Sequence, residues 1–229
     1  MKYAVISDVH ANYPALKAVL SDVPSNVDGI LFLGDLVGLM GYPYKTAKSL
    51  MKSTDHGLKG NHDIAVLEHG EGHVNSSELS DFELNLTVDN ITQKQKEWIT
   101  SNPTYKEIPE DGIVMSHAQP TPELSSGIEV RNFGLKKGSY TKAASNFDTE
   151  VYDFILVGHT HDQSKLDCSK FGHDITVLNP GSVGQSIDEP AEYAIINTDD
   201  NTAELKSVEF DSESVKQHLK SIGVPKKWW

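Results

Sequence analysis

With 229 residues, 38% apolar side chains and a formal charge of -13, the chain is sized for one domain, or one with an insertion, around a sizeable core. The acidic balance argues against non-specific binding to nucleic acid or anionic membranes, whose phosphates need a basic surface. A phosphate ester remains accessible if a bound cation reverses the local field. No run approaches the ~20 apolar residues of a membrane span. Met1–Ile6 is too short an apolar run for a signal peptide, and Ser7-Asp8 ends it. The single cysteine, Cys168, rules out an internal disulfide, and the expected location is cytoplasmic. Arg131 is the one arginine, so this chain cannot build a multi-arginine phosphate clamp.

In chain order, Tyr3–Ile6 reads as a buried strand, with Asp8-Val9-His10 directly after it. Pro14 opens a helix through Leu16, Val19 and Leu20. Gly29–Leu33 is a second strand ending at Gly34-Asp35, and a helix follows from about Tyr44 to Met51. His56–Lys59 is a weaker third strand ending at Gly60-Asn61-His62-Asp63. Three strand–helix units in succession predict an α/β fold with parallel strands, whose carboxyl ends gather functional groups. Ile64 to Ile99 carries no strand pattern. Glu68–Asn75 reads as a loop, Leu79 to Val88 as a helix, and Thr92 as the cap of a short helix ending near Ser101. The segment 64–101 is therefore a helical layer or partial lid on a single domain spanning 1–229. Gly112–Met115 is the next strand, ending at Ser116-His117; the Pro-, Gly- and Ser-rich stretch Gln119–Tyr140 is a long loop. Asp153–Val157 ends at Gly158-His159-Thr160-His161, and Ile175–Leu178 runs into Asn179-Pro180-Gly181-Ser182. Tyr193–Ile196 and Ala203–Lys206 pair as a hairpin across Asp199–Asn201, and Ser212–Ile222 is a terminal helix.

Five predicted strand ends thus carry Asp8 and His10; Asp35; Asn61, His62 and Asp63; His117; and His159 and His161. Each has an ordinary alternative. Asp8 and Asp63 can cap helices, Asp35 can sit in a turn, and His117 can be a hydrogen-bonded core histidine. All five together at strand ends are poorly explained by those alternatives. Carboxylate, imidazole and amide oxygen with no thiolate suit Mn²⁺, Fe²⁺, Co²⁺, Ni²⁺ or Zn²⁺ better than Ca²⁺ or Mg²⁺. Seven such ligands exceed the needs of one ion and suit two, sharing one carboxylate. Two ions about 3.5–4 Å apart can activate a water and stabilise phosphoryl charge.

The ordered series Asp8-Val9-His10, Gly34-Asp35, Gly60-Asn61-His62-Asp63, Ser116-His117 and Gly158-His159-Thr160-His161 resembles the calcineurin-like metallophosphoesterases, most of all their small bacterial and archaeal phosphodiesterase-like branch. The likeness extends to Gly34–Gly38 and to Asn179–Gly184 and runs from residue 1 to about 200. It implies a four-layer α/β/β/α sandwich with mixed sheets. It also implies two divalent metal ions, Mn²⁺ first with Fe, Co, Ni or Zn as alternatives. Asp8, His10 and His161 would hold the first ion, Asn61, His117 and His159 the second, and Asp35 would bridge them with a hydroxide that attacks a small phosphoester in line. His62 would protonate the leaving oxygen, and Asp63 would orient or polarise His62, with a helix cap as its alternative role. The chain departs from the protein Ser/Thr phosphatases, which carry arginines just after the Gly-Asp and Gly-Asn-His motifs. Here Leu36–Leu39 and Ile64–Val66 stand there, which favours a diester over a monoester. A nucleotide or dinucleotide pyrophosphatase, a phosphoprotein phosphatase-like activity and a non-catalytic metal-binding scaffold are the rival readings. Arg131, Lys136 and Lys137 are candidates for phosphate contact or for an ordinary solvated loop, and Lys226–Trp229 for a docked or frayed end.

Overall fold

A computed structural model of the chain describes residues 1–72, 79–120, 139–224 and 226. Strands β1 (Lys2–Ile6), β2 (Gly29–Phe32) and β3 (His56–Gly57) alternate with helices α1 (Tyr13–Asp22) and α2 (Pro43–Ser53), in the strand–helix order expected. β1 pairs parallel with β2, and β2 with β3. Two further strands, β9 (Ala191–Asn197) and β10 (Thr202–Val208), form the expected hairpin, and β9 joins β1 antiparallel. This sheet has the order β10-β9-β1-β2-β3. The second contains β4 (Tyr105–Ile108), β5 (Ile113–Ser116), β6 (Phe154–Val157), β7 (Ser164–Asp167) and β8 (Thr176–Asn179), in the order β4-β5-β6-β8-β7. Its centre is parallel and both edges are antiparallel.

The side-chain alternation of a strand explains the layering. In β1, Tyr3 and Val5 point towards the second sheet and pack with Met115, Phe154, Leu156 and Leu178. Ala4 and Ile6 point the other way, onto Ala15, Leu16 and Val19 of α1. In β6, Phe154 and Leu156 enter the same inter-sheet core, whereas Ile155 and Val157 pack against α6 (Tyr140–Ala144). Both faces of the central strands are buried, so these strands read as unbroken apolar runs rather than alternating ones. The result is two mixed sheets face to face with helices outside.

Several elements differ from expectation. β3 is only two residues long: the Leu58 amide still follows the sheet to Phe32 O at 2.8 Å, but the Lys59 amide turns to Pro103 O at 2.9 Å. β4 and β7, unforeseen, are four-residue edge strands of mixed polarity, where one face is wetter and the apolar pattern fades. Glu68–Gly70, expected in a loop, is the last turn of α3 (Asn61–Gly70). Packing overrides the glycine there, because Gly70 sits against Val88 of α4 (Asp81–Asn90). Thr92 caps α5 (Gln93–Ser101) as expected, in a capping box with Gln95, and Ser80 does the same for α4 with Glu83. Val66, Leu84, Ile91 and Ile99 bind α3, α4 and α5 into the core of the first sheet. The terminal helix α7 (Ser212–Ser221) lays Val215 and Leu219 over Ala11, Met40 and Ile187. Among the described residues no helix is long and apolar enough to cross a membrane. Arg131, Lys136, Lys137, Lys227, Trp228 and Trp229 lie outside the described residues.

Candidate metal centre

Every side chain singled out at a strand end lies at the carboxyl end of a parallel strand or just beyond it. Asp8 and His10 follow β1, Asp35 follows β2, Asn61 and His62 open α3 after β3, His117 follows β5, and His159 and His161 follow β6. The first sheet supplies five of these groups and the second supplies three. They meet across the rim of the sandwich. His10 Nε2 lies 3.2 Å from His161 Nε2, and Asp8 Oδ1 lies 3.2 Å from His161 Nε2. Asn61 Oδ1 lies 2.9 Å from His117 Nε2 and 2.8 Å from His159 Nδ1. Asp35 Oδ2 lies 3.4 Å from His117 Nε2. Two trios, Asp8–His10–His161 and Asp8–Asp35–His117, bring ligand atoms within 4.8 Å of one another. A third, His10–Asp35–His62, does the same.

The chemistry of this donor set fits divalent cations. Asp8, His10, Asp35 and His117 are essentially inaccessible to solvent. Asp8 Oδ1 is buried without a well-formed hydrogen bond, facing the imidazole nitrogens of His161 at 3.2 Å and His10 at 3.9 Å, and a buried carboxylate oxygen so placed is favoured by a cation. His117 donates Nδ1–H to Leu33 O at 2.9 Å, which turns Nε2 towards Asn61 and Asp35. The electrostatics follow from crowding. Burial pulls His10 down to about 3, and neighbouring His62 adds to this. Burial acts in the same sense on His117, but the Asp35 carboxylate outweighs it and pushes the group up to about 9. Burial opposes ionisation of Asp8 and Asp35. The imidazoles of His161 and His117 nevertheless hold Asp8 below the usual carboxylate range, and those of His117 and His62 do the same for Asp35.

The turn at Gly60 is where these groups are brought close. The α3 N-terminus directs the His62 amide at Asp35 Oδ1, 2.8 Å away, as suits a carboxylate at the positive end of a helix. A Cβ on Gly60 would stand 2.1 Å from Asp35 Oδ1 and 2.6 Å from Asp35 N, so only glycine allows the approach. Gly60→Ala is accordingly expected to cost about 1–3 kcal/mol by overpacking, read as a lowered unfolding midpoint. The same change should displace the Asp35 carboxylate.

One expected partnership is absent. Asp63, expected to orient or polarise His62, instead accepts through its carboxylate from the amides of Leu36, Val37 and Gly60 at 3.0–3.2 Å. His62 Nδ1 is buried with no hydrogen-bond partner, against Gly38, where a Cβ would stand 2.8 Å from that nitrogen. Asp63 thus fastens the loop after β2 to the start of α3, the cap-like role, through bonds that go to backbone amides and not to the His62 ring. Burial and the nearby Asp35 charge push it up to about 7, against the pull of its three amide donors. Sequence reasoning assigns no role to Asn179 and Ser182, although the stretch Asn179–Gly184 stands out as a motif; both hydrogen-bond into the ligand loops.

A family model of the calcineurin-like phosphoesterase superfamily domain matches residues 1–201. An uncharacterized protein of Methanocaldococcus jannaschii is 27% identical over 245 residues, covering 97% of this chain and 93% of its own length. The crystal structure of a metallophosphoesterase from Sphaerobacter thermophilus matches with a TM-score of 0.76 at 26% identity, over 100% of this chain and 96% of its own. A hypothetical protein from Pyrococcus horikoshii shares the fold, with a TM-score of 0.78 at 18% identity over 99% of this chain and 95% of its own. With its motifs in order, its two mixed sheets and a family match over most of its length, the chain belongs to the calcineurin-like phosphoesterase superfamily.

Proposed function

We propose that the protein hydrolyses a small phosphodiester with two divalent metal ions, Mn²⁺ foremost, held at the rim of the sandwich. Membership of the superfamily supports the coarser statement, a metal-dependent phosphoesterase. The observation that carries the finer one is the convergence of four buried groups, Asp8, His10, Asp35 and His117, with Asn61, His159 and His161 on one spot. Asp8, His10 and His161 would hold one ion, Asn61, His117 and His159 the other, and Asp35 would be shared. When bound, such ions lower the pKa of water and neutralise charge on phosphoryl oxygens.

The chain's own residues do the rest. His117 and His159 both approach Asn61 Oδ1, which fixes their rings. The His62 backbone amide anchors Asp35. With Nδ1 of His62 buried against Gly38, its Nε2 is the nitrogen left to hand a proton to the leaving oxygen. After the Gly-Asp turn, Leu36 and Val37 are fully buried and offer no cation to a phosphate. A diester, with one negative charge where a monoester carries two, demands less of the protein there.

The test is turnover of bis-p-nitrophenyl phosphate and p-nitrophenyl phosphate by purified protein, with and without Mn²⁺, alongside metal analysis. Mn²⁺-dependent hydrolysis faster on the diester is the expected result. Protein that binds no metal and stays inert on both substrates would overturn the enzymatic reading, and a faster monoester rate would overturn the diester preference.

A further inference from the structure

The loops bearing the candidate ligands hold an unfavourable backbone. Asp8, His10, Ala11, Asp35, His159 and His161 all have positive φ, from 50° to 67°. Among the described non-glycine residues the only other case is Asn201, in the turn between β9 and β10. Side chains with a Cβ rarely adopt this conformation, which costs about 1–3 kcal/mol per residue and persists only where the surroundings over-determine it.

What surrounds these loops is a strap, Asn179–Gly184, leaving the end of β8. Asn179 is completely buried. Its Nδ2 donates to Gly158 O at 3.1 Å and to Thr160 Oγ1 at 2.9 Å, gripping the chain on both sides of His159. Its Oδ1 accepts from the Gly181 amide at 2.9 Å, which shapes the turn into Ser182. Ser182 Oγ then donates to Asp8 O at 2.8 Å and accepts from the amides of Gly184 and Gln185. The backbone continues the grip: Val183 N donates to Ser7 O and Gly184 N to Asp8 O, at 3.0 and 2.9 Å. Asn12 Nδ2 returns a bond to Gly184 O at 3.3 Å. The fit is close enough that a Cβ on Gly184 would stand 1.9 Å from Val9 O. One end of the strap therefore fastens the β6 loop of the second sheet, and the other fastens the β1 loop of the first.

We propose that Asn179 and Ser182 are positioning residues of the metal centre, holding the Gly158–His161 and Ser7–Asp8 loops in the left-handed conformations that aim Asp8, His159 and His161 at shared cations. This rests on the two-ion reading above. Neither residue directs its hydrogen bonds at a candidate ligand side chain; both act through backbone carbonyls, backbone amides and Thr160. Because the strap spans both sheets, its loss should weaken both cations and not one alone.

The experiment compares wild type, Asn179→Asp and Ser182→Ala in Mn²⁺ titration calorimetry and in metal analysis after desalting. Circular dichroism and the Tm of metal-stripped protein report the fold. Asn179→Asp keeps the shape and the acceptor for Gly181 but loses both donors. Mn²⁺ binding about 10–100-fold weaker at both sites, with the metal-stripped fold retained, is the expected result and the range typical of groups that orient metal ligands. Folded variants that bind Mn²⁺ as wild type does would overturn the proposal, and so would a lowered metal-stripped Tm with unchanged affinity, which marks a purely structural strap. If Asn179→Asp does not fold, Ser182→Ala decides between these outcomes, since it removes one hydroxyl. Wild type that takes up no Mn²⁺ would instead overturn the two-ion reading and this inference with it, so the two failures are told apart by the wild-type titration.

Discussion

Replacing His62 with Asn is expected to leave two metal ions in place and lower kcat by about 10²–10⁴-fold, the contribution typical of a positioned general acid. The effect should be largest on diesters with poor leaving groups and smaller on p-nitrophenyl esters, whose leaving group needs little protonation. His62 opens α3, its amide anchors Asp35, and its ring lies edge-on to His10 with centroids 4.7 Å apart. Its ring also belongs to a trio with His10 and Asp35 whose ligand atoms lie within 4.8 Å. Metal analysis therefore runs beside the kinetics. Loss of a metal ion in His62→Asn would reassign the side chain as a ligand, and full activity would remove it from the mechanism.

Asp35→Ala is expected to empty both metal positions together. Asp35 belongs to two of the three trios, lies 3.4 Å from His117 through one oxygen and accepts the His62 amide through the other. Asp63, whose carboxylate lies near enough for the Asp35 charge to raise its pKa, cannot replace it, being committed to three backbone amides. A loss larger than the 10–100-fold of an orienting residue is expected at each position, with turnover falling in step. Retention of two tightly bound ions by the variant would contradict the sharing of Asp35.

The sequence exposes most of the candidate ligands because they follow short apolar runs that read as buried strands, His56–Lys59 ahead of Asn61 being the weak case. Carboxyl ends of parallel strands converge, so Asp8, Asp35, Asn61, His117, His159 and His161 can be grouped from the sequence alone. Edge strands β4 and β7 are not legible there, since a short strand with a wet face has no apolar period to read. Asp63 is undecidable in the sequence because a helix cap and a proton-relay carboxylate occupy the same place in it; only the direction of its oxygens distinguishes them. The left-handed backbone of Asp8, His159 and His161 is hidden for a related reason. Asp and His tolerate that conformation better than most side chains, but what holds it here is tertiary: Asn179 binds the chain on both sides of His159, and Ser182 crosses to the first sheet to bind Asp8 O.

The division of the ligand set between the two sheets bears on how the chain reaches its working state. His10 and His161 are 151 positions apart in sequence, and so are Asp8 and His159. Contacts of such long separation form late, after much chain entropy has already been lost. A nascent chain, or one with its sandwich open, offers a cation only fragments of the set. A cation held by the completed set at a free concentration 100 times its Kd would add about 2.7 kcal/mol to the closed form alone, so metal is expected to lock completed folding and not to nucleate it.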